Sequence, residues 1–148
     1  MILASKPEVI EILLVEDDPG DVRLTQEAIR DCGVVANISI ASDGGEAMAY
    51  LRREGRYGDA RRPTLILLDM NLPGKDGREV LAEIKAEPDL RRIPVVVLAA
   101  SQSEDDIAAA YGLHANCYVP KPADIGHLIE VVQCIEDFWL TKVRLPAD

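Results

Sequence analysis

The chain has 148 residues, 48% of them hydrophobic and 28% charged, with a formal net charge of −10. This length and apolar share fit a single domain over residues 1–148, with room for one proper core but not a second. The acidic balance excludes recognition of nucleic acid through a basic surface. Cys32, Cys117 and Cys134 are odd in number and show no close pairing, so reduced thiols are expected rather than a disulfide frame or a zinc site. No apolar run approaches the ~20 residues of a membrane span. The opening residues lack the apolar core of a signal peptide, so the expected place is the cytoplasm, without membrane contact.

In chain order, residues 1–8 read as a loose tail closed by Pro7. Residues 12–15 form an apolar run within a first strand over 10–15. Asp18 suits a helix N-cap, with Pro19 at the first helical position, where its missing N–H costs nothing. Val22, Thr25, Ala28 and Ile29 then recur at helical spacing, up to Cys32-Gly33, where glycine suits the residue after the helix. Residues 35–41 alternate loosely as a second strand. Asp43 opens a second helix running to Glu54-Gly55, with Ala47, Tyr50 and Leu51 inward. The polar link 56–63 reads as a solvated connection, and the flanking pairs Arg52-Arg53 and Arg61-Arg62 as solvated surface.

Leu65-Ile66-Leu67-Leu68 is a continuous apolar run ended by Asp69 and by the breaker Asn71-Leu72-Pro73-Gly74. Such a run reads as a strand buried on both faces, which belongs to a parallel sheet. A third helix follows over 76–85, with Val80, Leu81 and Ile84 on one side. Residues 94–98 make a fourth strand. Ser103 caps a short fourth helix that fades by Tyr111-Gly112. Residues 116–120 make a fifth strand. The last helix carries Ile125, Leu128, Ile129, Val132 and Ile135 as its inner stripe and runs on through 137–140.

Five strand–helix units in alternation predict an α/β fold, a doubly wound five-stranded parallel sheet of flavodoxin-like order 2-1-3-4-5. In that order the switch point lies between strands one and three, where ligands sit beyond the strands' carboxyl ends. Those ends carry Glu16-Asp17 and Asp69, and strand five ends in Lys121. Clustered carboxylates repel unless a cation is present. A few acids together with a phosphate suit Mg²⁺, and a lysine opposite suits a phosphoryl oxygen.

Glu16-Asp17, then Asp69 with Asn71-Leu72-Pro73-Gly74 and Asp76-Gly77, then Lys121-Pro122, together resemble a response-regulator receiver domain over residues 9–140, with 141–148 as an extension. The resemblance implies that Asp69 accepts a phosphoryl group and that Glu16 and Asp17 hold Mg²⁺. It also implies that Asn71 gives the metal a backbone carbonyl and that Lys121 contacts the phosphoryl group. The implied donor is a sensor histidine kinase. No output domain is expected, so the signal would leave by protein–protein contact, without enzymatic turnover.

One position departs from the family. Receivers place Ser or Thr where Ala99 stands, and that hydroxyl couples the phosphoryl group to the aromatic residue of strand five, here Tyr118. Ser101, two residues on, could point the same way if the strand continued. An alternative function is therefore a phosphorylation-independent interaction module. A magnesium-dependent phosphohydrolase fits poorly, because Asn71 stands where the acid–base aspartate is needed. Flavin binding fits worse, because acids follow strand one where a phosphate loop belongs. Near the C-terminus, Val131, Cys134, Phe138, Trp139 and Leu145 form a second apolar strip, expected as a homodimer face. The Phe-Trp…Leu-Pro ending resembles the single-domain regulators paired with bacterial phytochrome kinases.

Overall fold

The computed structural model describes residues 9–31, 35–100, 102–121 and 124–142. The expected tail 1–8, the Cys32-Gly33 helix end, Ser101, Pro122 and Leu145 lie outside the described residues, as does the side chain of Ile125.

The strands are β1 (Ile10–Val15), β2 (Ala36–Ala41), β3 (Leu65–Asp69), β4 (Val95–Ala99) and β5 (Cys117–Pro120). The helices between them are α1 (Pro19–Asp31), α2 (Gly44–Arg52), α3 (Gly77–Ala86), α4 (Glu104–Gly112) and α5 (Ile125–Glu136). The strands form one sheet of order β2-β1-β3-β4-β5, and every neighbouring pair is parallel. This is the flavodoxin-like arrangement expected. No helix among the described residues is long and apolar enough to cross a membrane.

Side chains alternate across the sheet, so each central strand feeds two cores. Leu13, Ile66, Leu68, Val95 and Val97 pack with Met48, Leu81 and Ile84 of α2 and α3. Ile12, Leu14, Leu67, Val96 and Leu98 pack with Ile29 of α1 and with Leu128 and Val132 of α5. Every residue of β3 and β4 is buried, as two-sided covering requires.

The helix starts follow their caps. The carboxylates of Asp43 and Asp76 accept from the N–H groups of Glu46 (2.7 Å) and Glu79 (3.0 Å), and the Ser103 hydroxyl accepts from that of Asp106 (3.0 Å). Asp18 accepts from the Gly20 N–H at 2.9 Å, two residues into α1, as a cap should.

Two helix ends differ from expectation. The second helix stops at Arg52, not at Glu54-Gly55, because Arg53 turns left-handed (φ 58°) and its N–H returns to the Tyr50 carbonyl at 3.2 Å. A 3₁₀ turn at Gly55–Tyr57 then occupies part of the polar link. At the end of α4 the left-handed residue is His114 (φ 70°), while Gly112 stays helical. Nor is Arg52 merely solvated: it bridges α2 to α3 through Glu83 (3.2 Å) and Glu87 (2.9 Å). Beyond Glu136 the helix widens into a π-type segment, Asp137–Lys142.

Candidate functional site at the carboxyl edge of the sheet

Parallel strands deliver their carboxyl ends to one edge, so the residues at or just past the ends of β1, β3 and β5 converge there. Lys121 Nζ lies 2.7 Å from Glu16 Oε2 and 3.2 Å from Asp69 Oδ2. It also lies 2.9 Å from Asp21 Oδ2, in the first turn of α1. Glu16 and Asp69 are buried and Asp17 is exposed, and an oxygen from each of the three lies within 4.8 Å of the others.

The chain around Asp69 is held by its own backbone. The Asn71 N–H donates to Asp69 Oδ1 at 3.0 Å, which fixes the carboxylate's orientation. The Gly77 N–H donates to the Met70 carbonyl at 3.1 Å, folding the loop back on itself. A Cβ at Gly77 would stand 2.5 Å from Met70 Cα and 2.7 Å from the Asp69 carbonyl oxygen. The Asp76-Gly77 step thus supplies a cap for α3 and the bare backbone that lets the helix sit against the end of β3.

The electrostatics follow from this packing. Burial pushes the Glu16 carboxyl up to about 7, and Asp69 beside it adds to the rise against the pull of Lys121. Burial would lower the Lys121 ammonium. Its hydrogen bonds to Glu16 and Asp21, and the charges of Asp69 and Glu16, outweigh that and hold it above its ordinary value. The site is thus rich in carboxylates with one ammonium among them. Three clustered oxygen donors, one of them a buried acid with a raised pKa, form a set suited to a hard divalent cation.

A cleft of about 570 Å³ opens beside Asp69, lined among others by Asp17, Asn71, Arg78, Ala99, Asp106 and Tyr118. Ala99 is buried, and its carbonyl accepts the Lys121 N–H at 2.6 Å. Tyr118 is half-buried against the core cluster that contains Ala99. Both residues expected for the switch thus line the cleft, with a methyl at position 99.

Sequence reasoning missed Asp21, and it missed the ion pair between Arg78 and Asp106 across the cleft. An acid in the first turn after strand one was the available signal for Asp21. The C-terminal strip is divided rather than uniform. Val131 and Trp139 pack half-buried against the α1–α5 core. Cys134 is exposed, and Phe138, 54% exposed, meets the Trp139 ring edge-on at 5.6 Å.

Residues 12–133 match the family model described as response regulator receiver domain. The chain is 54% identical over 144 residues to the response regulator Rcp1 of Synechocystis sp., covering 97% of each. It is 43% identical to the probable methanogenesis regulatory protein FilR2 of Methanothrix harundinacea, covering 92% of this chain and 87% of that one. Among solved structures, the phosphorylated cyanobacterial phytochrome response regulator RcpA superposes with a TM-score of 0.92 at 55% identity. That match covers 95% of this chain and all of the other. The Mn²⁺-bound form of Rcp1 superposes with a TM-score of 0.90 at 54% identity, covering 93% and 99%.

Proposed function

Because this chain belongs to the response regulator receiver family, we propose that Asp69 accepts a phosphoryl group from the phosphohistidine of a sensor histidine kinase. The observation that carries the proposal is the pair of buried carboxylates Glu16 and Asp69 joined by the half-buried Lys121 at the sheet's switch point, with Asp17 beside it. Glu16, Asp17, Asp69 and the Asn71 carbonyl are the residues that would hold Mg²⁺. When bound, the ion supplies the positive charge that lets two anions approach and that stabilises charge on the phosphoryl oxygens.

In the transfer, an Asp69 carboxylate oxygen attacks phosphorus as the bond from phosphorus to the imidazole nitrogen breaks. The electron pair stays on that nitrogen, and the product is an aspartyl phosphate. The Asn71 N–H keeps the carboxylate aligned for attack. Lys121 exchanges a carboxylate partner for a phosphoryl oxygen, as a mobile point charge can. The likeness to Rcp1 and RcpA supports a kinase of the phytochrome type. The exposed Phe138 and Cys134 support a homodimer built on the α5 face.

A second reading, a module that acts without phosphorylation, is favoured by Ala99, which puts a methyl where the switch hydroxyl of the family stands. Intact mass decides between them, measured after incubation with Mg²⁺ and acetyl phosphate beside the Asp69→Asn variant. The first reading expects a gain of one phosphate that the variant lacks. No gain, even with a cognate kinase, would leave the second.

A further inference from the structure

The Arg78–Asp106 ion pair ties the second residue of α3 to the first turn of α4, and both side chains line the cleft beside Asp69. Among the described residues, Arg78 is the only Lys or Arg that lines this cleft. The pair is 49% and 36% exposed, and ion pairs at such positions hold weakly. The helix it fastens is lightly anchored, since of its nine residues Ala110 alone is buried.

Phosphorylation would place a group of about two negative charges where one carboxylate stood. Glu16, Asp17 and Asp21 are already there, and Lys121 is already shared among three carboxylates. Even with the Mg²⁺ proposed above, the carboxylates and the phosphoryl group leave the site net negative, so a further cation is favoured. A planar guanidinium binds a phosphoryl group more strongly than it binds an exposed carboxylate.

We propose that Arg78 is a phosphoryl-binding residue: it leaves Asp106 for the phosphorylated Asp69 and so removes its tie to the first turn of α4. This rests on the phospho-acceptor reading of Asp69. It gives the signal a route to α4 that needs no hydroxyl at position 99. Asp106, left facing the new negative charge, is pushed in the same direction that the loss of Arg78 allows.

The test is a double-mutant cycle on the full chain. Calorimetry measures binding of beryllium fluoride, a phosphoryl mimic, in Mg²⁺ for the wild type, Arg78→Ala, Asp106→Asn and the double variant. Arg78→Ala should weaken binding about three- to tenfold, and Asp106→Asn should tighten it, because Arg78 is then already released. The gain from Asp106→Asn must vanish in the Arg78→Ala background. If it persists, Asp106 acts by bare charge and the proposal falls; an unchanged affinity in Arg78→Ala overturns it too. Absence of binding by the wild type, or equal binding by Asp69→Asn, overturns the acceptor reading and this proposal with it. Wild-type binding that needs Asp69 but ignores Arg78 overturns this proposal alone.

Discussion

Glu16 is 3% exposed and carries its carboxyl at about 7. Since that value lies above the ordinary 4.5, the folded state holds the proton more tightly than the unfolded chain does. The resulting stabilisation is complete below about 4.5, is lost as pH climbs to about 7, and leaves a constant penalty above that. In EDTA, Glu16→Gln should flatten the dependence of melting temperature on pH between 4.5 and 7. It should also raise the melting temperature at pH 7.5 by about 3 °C or more. The same variant should lose part of the stabilisation that Mg²⁺ gives the wild type; thermal melts with and without the ion check both. At this scale Asp17, Asp69 and Lys121 were legible because each lies at or within two residues of a strand end, and strand ends are fixed by the fold. Asp21 was not, because its reach to Lys121 depends on how the first turn of α1 is aimed.

Helix ends obey the backbone more than the side-chain pattern. The apolar stripe of α2 ends at Leu51, Gly55 is the residue that suits a helix end, and nothing in the pattern marks Arg53 as the left-handed one. A non-glycine residue pays about 1 kcal/mol there. Arg53→Gly should therefore stabilise the chain by up to that amount, about 2–4 °C in melting temperature by calorimetry. The strands were read almost to the residue, since continuous apolar runs ended by Asp69 or Lys121 leave little latitude. The turn at Gly55–Tyr57 escaped because a short 3₁₀ segment has no period to detect. Lys85 escaped too. Its ammonium joins the carbonyls of Arg91 (3.2 Å) and Ile93 (3.3 Å) to Asn116 Oδ1 (3.2 Å), a knot between loops that no local pattern announces.

Across the whole molecule, the two faces of the sheet have different duties. The α1–α5 side is a continuous core that ends in Trp139 and the exposed Phe138. The opposite side carries α4, whose anchorage is slight. If the proposed dimer uses the first of these faces, Phe138→Glu should shift the chain to monomer in sedimentation velocity, while acetyl phosphate still labels Asp69. A dimer that survives this change must use another surface.

Lys121 meets Glu16 across 105 positions of sequence, and it sits immediately after β5, the last strand of this sheet in chain order. A chain still emerging from the ribosome thus has its acids in hand long before it has the ammonium that joins them. If Asp69 is the acceptor, as proposed, then until β5 docks a phosphodonor meets Glu16 and Asp69 without that ammonium, and transfer is disfavoured. On that reading, acceptance of a phosphoryl group requires a docked β5, and a copy whose β5 is locally unzipped stays silent.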